Sequence, residues 1–401
     1  MAVDFTDLDL DLCLGEAEPI VETSSLPTVE DQINVIGVGK FHYSLMTLLG
    51  FLCAADGMEM VVLSLLSSQL QKEWNASKVE IGALASIIFV GVLVGSLIGG
   101  AMGDRIGRRA TLLVGGFIFV VGGIASSLAP NLALLGLFRA LLGLGFGIFL
   151  PAAMCNFAEL VPTKQRATFQ LCLSGLAWAA GEVAVCLAAI LLHRFFDFPG
   201  WWRVLLFLCT VPGIIGLVMA YMFLPESPHY LSIQGRHTEV EALVQRIAAT
   251  NGRADALLHG GRVRRIADEP DASWSWFQLF SKDLALLTLA VSLLWSVCSF
   301  AYYGMTFAYP LVLEQRYTMD FEDQYWAVLL AAAAEVPGIF LAVYCVGHRV
   351  LGRRLSMAAF FLAAAVVSVL VAPPARPLQT PAQPNPDPHG AAPRRPADTQ
   401  A

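Results

Sequence analysis

The segment GAMGDRIGRR, residues 100–109, joins two long apolar runs at 81–102 and 111–129. Its glycines permit a tight turn, its Asp can accept hydrogen bonds from helix-end amides and from Arg, and its arginines favour the cytoplasmic side of a membrane. Each apolar run has about the 20 residues that a helix needs to cross roughly 30 Å of hydrocarbon. The segment therefore predicts a short basic turn between two membrane-spanning helices.

The composition of the whole chain is that of a membrane protein. Charged residues make up 14% of the 401 residues and apolar residues 56%, whereas soluble domains carry about 25% charged residues. Backbone polar groups cannot stay unpaired in lipid, so the apolar runs are predicted to be helices. Nine runs are long enough to span: 44–66, 81–102, 111–129, 132–155, 169–192, 203–224, 284–312, 327–347 and 355–372.

The distribution of Lys and Arg predicts how these spans are threaded. With a cytoplasmic N-terminus, sixteen Lys and Arg fall in the inside segments and five in the outside loops, as the positive-inside rule requires. Asn75-Ala76-Ser77 is a glycosylation sequon in the first outside loop, and it agrees with this orientation. No basic stretch precedes an early apolar run, so no cleavable signal peptide is expected.

One long connection, residues 225–283, separates the first six predicted spans from the remaining three. The long connection carries Val240, Leu243, Val244 and Ile247 at helical spacing and a stop signal at Asn251, which predicts an amphipathic cytoplasmic helix. The predicted regions are an acidic cytoplasmic segment (1–40), a six-helix half (41–224), the inter-half loop (225–283), a partial second half of three spans (284–372) and a low-complexity, disordered tail (373–401).

The turn segment has the pattern GxxxDRxGRR, which strongly resembles the signature of the major facilitator superfamily. That resemblance implies an all-α, major-facilitator-type helical bundle with a complete N-terminal half and a partial C-terminal half. It also implies that the turn acts as a conformational latch. The latch residues are Gly100, Asp104, Arg105, Gly107, Arg108 and Arg109.

Other segments resemble one branch of that superfamily, the synaptic-vesicle-two-related and niacin-type transporters, beside the organic-ion and sugar branches. The resemblance implies alternating-access secondary transport of a small organic solute (an organic ion, or a niacin-like or sugar-like molecule), with proton coupling. The segments are TVEDQINVIGVGKF (28–41), DGMEM (56–60), ELVPTKQR (159–166), LPESP (224–228), FAYYG (300–304) and EVPG (335–338).

Five ionisable residues fall inside predicted spans, where a charge costs about 2.5–3.5 kcal/mol. They are Asp56, Glu59, Arg139, Glu182 and Glu335. Three acids and one base in the first half would give a shared cavity a negative field, which favours a cationic solute or a proton held on a buried carboxyl. The alternative is structural, with Arg139 locked to one acid and another acid turned to a loop.

Several further residues have both a functional and a structural interpretation. Tyr302 and Tyr303 could stack on an aromatic or cationic ring, or they could simply pack between helices. Glu159 and Arg166 are expected to hold the loop between the fourth and fifth spans.

Nothing in the sequence predicts an enzyme, a metal site, a cofactor or nucleic-acid binding. The GxxxxGK[ST], HExxH and GxSxG motifs are absent, and the eight cysteines form no CxxC pair. The expected partners are the solute, the lipid bilayer and protons. The plasma membrane and a vesicle or organelle membrane are equally compatible with the sequence.

Two features depart from the family pattern. Arg349 stands where a second latch would carry an Asp, and three further spans are expected after residue 372. Two accounts of the second departure stay open. One is a nine-span protein, either a binder or regulator that does not transport or a subunit completed by a partner; the other is a truncated or frame-shifted product of a twelve-span transporter gene.

Overall fold

The computed structural model describes residues 26–196, 200–264, 279–317, 321–348 and 351–371, and within these ranges every regular element is a helix. The predicted tail, the first 25 residues and Arg349 lie outside the described residues. The helices are α1 (Val29–Ile36), α2 (Lys40–Trp74), α3 (Lys78–Ile106), α4 (Arg108–Ser127), α5 (Leu132–Leu160), α6 (Thr163–Leu171), α7 (Ala177–Phe195), α8 (Trp201–Phe223), α9 (Pro228–Ile233), α10 (His237–Thr250), α11 (Ala285–Tyr317), α12 (Phe321–Gly347) and α13 (Gly352–Val371).

Eight helical stretches in the described part of the chain are long and apolar enough to cross a membrane. They correspond to the first eight predicted spans, and the fifth is the continuous run of α6, a π-helical turn at Cys172–Leu176, and α7. The ninth predicted span, 355–372, coincides with α13, which belongs to a separate compact unit. The multi-pass helical architecture predicted from the sequence is therefore confirmed.

The first two spans illustrate how local sequence sets helix ends. Helix α2 stops where Asn75 adopts a left-handed conformation, with φ of 47°. Two residues later Ser77 caps α3: its hydroxyl accepts from the Glu80 amide at 3.2 Å, and the Glu80 carboxylate accepts from the Ser77 amide at 2.8 Å. This reciprocal capping satisfies free amides at the helix start and confines the connection between α2 and α3 to three residues.

Helices α3 and α5 pack with their backbones in close contact. A Cβ added at Gly99 would lie 2.7 Å from Ile148 Cα, and one at Gly95 would lie 3.1 Å from Gly147 Cα. Small residues at GxxxG spacing permit such an approach inside a membrane. The seam fixes the position of α5, which carries Arg139 into the interior of the bundle.

A cap of short helices covers the end of the bundle that carries the latch residues, here called the latch face. Helix α10 buries Val240, Leu243, Val244 and Ile247, the four positions with helical spacing in the sequence. Burial of this apolar stripe explains why a helix forms in an otherwise polar connection.

Residues 28–41, here called the N-terminal segment, are tied to the chain around α10. The Gln32 side chain donates to the carbonyls of Leu258 (2.8 Å) and Arg262 (3.0 Å). Asn251 accepts from the Phe41 amide at 3.0 Å and donates to the Gly37 carbonyl at 3.1 Å. These contacts join the start of α2 to the inter-half connection.

Candidate functional site

A buried ion pair links α2 and α5. Arg139 Nη1 lies 2.6 Å from Glu59 Oε2, and the two side chains are 0% and 1% exposed. Thr210 on α8 donates to the other Glu59 oxygen at 3.3 Å. Since a charge in low dielectric is strongly disfavoured without its partner, this pair holds α2 and α5 together, and the Thr210 hydrogen bond adds α8.

Asp56 lies one turn before Glu59, and its side chain is 1% exposed. Neither of its carboxylate oxygens has a hydrogen-bond partner among the described residues. A buried carboxylate without hydrogen bonds is costly unless it takes up a proton or meets a positively charged or hydrogen-bonding group. Asp56 therefore has the chemistry of a ligand-binding or proton-carrying group.

A second polar cluster joins the two halves of the chain. Glu182 Oε1 on α7 accepts from Trp178 Nε1 at 2.9 Å and from the Tyr302 hydroxyl of α11 at 2.8 Å. The same hydroxyl lies 3.1 Å from Glu335 Oε1 on α12. Here this group of four residues, Trp178, Glu182, Tyr302 and Glu335, is called the inter-half cluster.

Counting hydrogens shows what the inter-half cluster can do chemically. The Tyr302 hydroxyl has one hydrogen to donate, yet it lies within hydrogen-bond distance of both Glu182 and Glu335. Both contacts are satisfied when one carboxyl carries a proton and donates to the phenol oxygen. The cluster is thus suited to hold a proton between the two halves.

Aromatic rings flank this cluster. The Tyr302 and Tyr303 ring centroids lie 5.3 Å apart, and the Tyr303 ring meets Phe89 of α3 at 4.8 Å with an edge-to-face tilt. Trp178 and Tyr302 have centroids 6.5 Å apart. Such rings provide faces on which a planar or cationic group can stack.

Four of the five ionisable residues predicted from the sequence thus fall into two groups, while Asp56 has no hydrogen-bond partner among the described residues. Glu59 and Arg139 pair with each other, whereas Glu182 and Glu335 meet through Tyr302. Sequence reasoning missed Trp178 and Thr210, although Trp178 precedes Glu182 by four residues and so shares its helix face. The π-helical turn directly before α7 is a local irregularity of the kind that often accompanies functional sites.

The latch residues are the second site predicted from the sequence. They form a compact turn between α3 and α4. Arg108 Nη1 lies 2.7 Å from Asp104 Oδ1 and donates to the Gly103 carbonyl at 2.7 Å. Gly107 adopts φ of 95° between α3 and α4, which favours glycine. Arg108 also approaches Glu159 at 3.9 Å, so the turn contacts the end of α5.

The turn between α8 and α9 contacts the latch residues, which the sequence pattern LPESP did not reveal by itself. Glu226 accepts from the Arg109 amide at 3.0 Å, and the Tyr230 hydroxyl donates to the Arg105 carbonyl at 3.2 Å. Ser227 donates to Glu159. Three segments distant in sequence are therefore joined at the latch face.

The Arg166 side chain contacts the N-terminal segment. Its Nη2 lies 3.1 Å from Glu30 Oε1, and Thr163 donates to the same oxygen at 3.0 Å. The Arg166 and Glu30 side chains are 34% and 56% exposed, so this ion pair contributes little to stability.

Asn75, the residue of the predicted glycosylation sequon, lies at the end of the bundle opposite the latch face. It is exposed.

Comparisons with known proteins agree with this architecture. Residues 41–382 match the family described as "Sugar (and other) transporter". The chain belongs to this family of the major facilitator superfamily. Its bundle resembles the xylose transporter XylE from E. coli in a partially occluded inward-open conformation, with a TM-score of 0.57, 17% identity, and coverage of 77% of this chain and 74% of that one. That likeness shows the fold.

Two curated relatives place the chain in the branch predicted from its motifs. The synaptic vesicle 2-related protein of Rattus norvegicus is 29% identical over 367 residues, which cover 86% of this chain and 64% of that protein. The niacin transporter NiaP of Acinetobacter baylyi is 30% identical over 338 residues, covering 84% of this chain and 73% of the transporter. The chain therefore spans just under two thirds of the length of the rat relative.

Proposed function

We propose that the protein is a secondary transporter that moves a small organic solute across a membrane by alternating access. The observation that carries this proposal is the inter-half cluster, where a carboxylate on α7 shares a tyrosine hydroxyl with a carboxylate on α12. Side chains from both halves meet there, so a change in their hydrogen bonds is coupled to relative movement of the halves. A solute that displaces Tyr302 from one carboxylate would bias that movement.

The charges of the site favour an organic cation or a solute with several hydrogen-bonding groups. Asp56, Glu182 and Glu335 bring three carboxyls, while the Arg139 charge is compensated by Glu59. The surrounding Trp and Tyr rings can stack on a planar group, which also suits a niacin-like or sugar-like solute. We infer an organic cation first, because the net charge of the unprotonated site is negative.

Proton coupling is part of the same proposal. Asp56 has no hydrogen-bond partner among the described residues, and the inter-half cluster needs one carboxyl proton to satisfy both contacts of Tyr302. A proton bound at either place lowers the local negative charge. Proton binding and release would therefore alter both the affinity for a cation and the contact between the halves.

We further propose that the latch face is cytoplasmic and that Asn75 carries a glycan on the opposite side. The excess of Lys and Arg on the latch side supports this orientation. Cleavage by an endoglycosidase, with Asn75→Gln as the control, tests both statements. An unglycosylated wild-type protein with a protease-accessible N-terminus on the outside would contradict them.

Counterflow in proteoliposomes tests transport and identifies the class of solute. Vesicles preloaded with an unlabelled organic cation, nicotinate or a hexose are diluted into the labelled compound. We expect accumulation of the cation, and we expect Tyr302→Phe to reduce the rate at least about tenfold through loss of a hydroxyl bound to charged groups. Tyr43→Phe, at an exposed position on α2, serves as the matched control.

The alternative that the sequence left open, a membrane protein that binds without transporting, gives a different result in the same vesicles. Such a protein would bind the labelled compound with an affinity that depends on Tyr302, yet would not accumulate it inside the vesicles. That outcome would refute transport and leave the binding site in place.

A further inference from the structure

The latch face contains a basic cavity that shares no lining residue with Asp56 or the inter-half cluster. Its volume is about 410 Å³, and its polar lining includes Arg109, Arg236 and Arg246, with Glu226 and Glu239. Arg109 belongs to the first turn of α4, whereas the other two arginines flank or lie on α10. The cavity thus lies where the membrane bundle meets its cap.

The cavity adjoins the end of the span α8, where lipid headgroups are expected. Arg109 Nη2 donates to the carbonyl of Tyr221 at 2.7 Å, in the last turn of the span α8. The side chains of Tyr221 and Phe223 are 69% and 52% exposed. Aromatic side chains at the end of a span characteristically lie at the boundary between hydrocarbon and headgroups.

The lining has more hydrogen-bond donors than it has acceptors to satisfy them. Glu239 is occupied by Arg236, with contacts of 2.6 and 2.7 Å, and Glu226 accepts from the backbone amides of Arg109 and Ser227. Within the described residues, Arg109 Nε has no hydrogen-bond partner and the Arg246 guanidinium takes part in no ion pair. A bound anion would accept hydrogen bonds from both of these groups.

The shape of the cavity favours a phosphate carried on a lipid. Leu231 and Leu243 also line it and are buried, so a polar rim stands beside an apolar wall. The forked geometry of Arg guanidinium matches phosphate oxygens, and a cavity of 300–1,000 Å³ is typical of small-ligand sites. We propose that this cavity binds the phosphate headgroup of an anionic lipid, with Arg109 and Arg246 as the main donors.

The proposal predicts opposite effects from two neighbouring substitutions. Arg246→Gln removes an unpaired charge and should weaken binding about fivefold, the effect of one Arg near an anionic lipid surface. Glu239→Gln frees Arg236 from its carboxylate and should strengthen binding by a similar factor. Arg262→Gln, an exposed arginine that is not among the lining residues, should leave binding unchanged.

Native mass spectrometry of the full-length protein in detergent provides the measurement, with dioctanoyl phosphatidic acid as the probe and dioctanoyl phosphatidylcholine as the neutral control. We expect saturable adducts with phosphatidic acid that millimolar inorganic phosphate does not displace. Displacement by inorganic phosphate would overturn the lipid assignment in favour of free phosphate. Equal adducts with both lipids, or weaker binding in Glu239→Gln, would overturn the site itself.

Discussion

Removing one member of the Glu59–Arg139 ion pair should destabilise the bundle more than any exposed charge substitution. The 2.6 Å separation corresponds to a gross attraction of about 6 kcal/mol at an effective dielectric constant of about 20. Glu59→Met leaves Arg139 buried without its counter-charge, which costs about 3–5 kcal/mol. Replacing both residues with Met removes the unpaired charge, so the double variant should be more stable than either single one.

The free energy of unfolding from SDS titration in mixed micelles measures these effects through a double-mutant cycle. Glu30→Gln is the control, because it breaks an exposed pair with Arg166 and should cost about 0.2–1 kcal/mol. The reasoning is refuted if Glu59→Met costs no more than Glu30→Gln. It is also refuted if the two Met substitutions are simply additive, since the residues would then not interact.

Three further predictions concern the packing seam, the cap and the latch. Gly95→Ala should lower the stability of the bundle by about 1–3 kcal/mol, because the added Cβ would lie 3.0 Å from the Leu144 carbonyl carbon. Gly82→Ala, at a position with open space around it, should instead stabilise α3. Thermal unfolding measures both effects. Asn251→Ala should raise hydrogen exchange in the N-terminal segment, and unchanged exchange there would contradict its docking. Ser227→Ala should lower the stability by about 1 kcal/mol through loss of the α9 cap, and a neutral effect would show that this cap does not matter.

The helical architecture was predictable because the signals that indicate it are local in the sequence. A span needs only an apolar run of sufficient length, and the buried face of α10 needs only helical spacing of Val240, Leu243, Val244 and Ile247. The turn at residues 100–109 was predictable for the same reason, since a basic, glycine-containing segment between two spans leaves few alternatives, whereas its role as a latch stays a prediction. These features depend on composition and periodicity within one segment.

Helix bounds and side-chain partners were less predictable. Helix α2 extends to Trp74, well past the predicted span end at residue 66, because it ends where Asn75 turns left-handed rather than where the apolar run stops. The pairing of Arg139 with Glu59 depends on how α5 is rotated against α2, which is set by the glycine seam with α3. The sequence supplied two possible acids on one face of α2 but no information about that rotation.

The inter-half cluster was predicted only in part. Glu182 and Glu335 were identified as candidates because ionisable groups are costly in a span, and Tyr302 because its ring could stack on an aromatic or cationic group. Their mutual contact required α7, α11 and α12 to meet, and that arrangement follows from tertiary packing. Trp178 was missed because a tryptophan in a span is ordinarily a lipid-facing or packing residue, and only its hydrogen bonds reveal its place in the cluster.

The most direct test of the central claim is solute uptake driven by a proton gradient in proteoliposomes. The uptake is compared between the wild-type protein and Glu182→Gln. Asp255→Asn, at an exposed position in the inter-half connection, is the control. The account predicts gradient-driven accumulation by the wild type and the control, and loss of that accumulation in Glu182→Gln while binding of the solute stays measurable. Accumulation by Glu182→Gln at the wild-type rate and with the wild-type pH dependence would contradict the role assigned to the inter-half cluster.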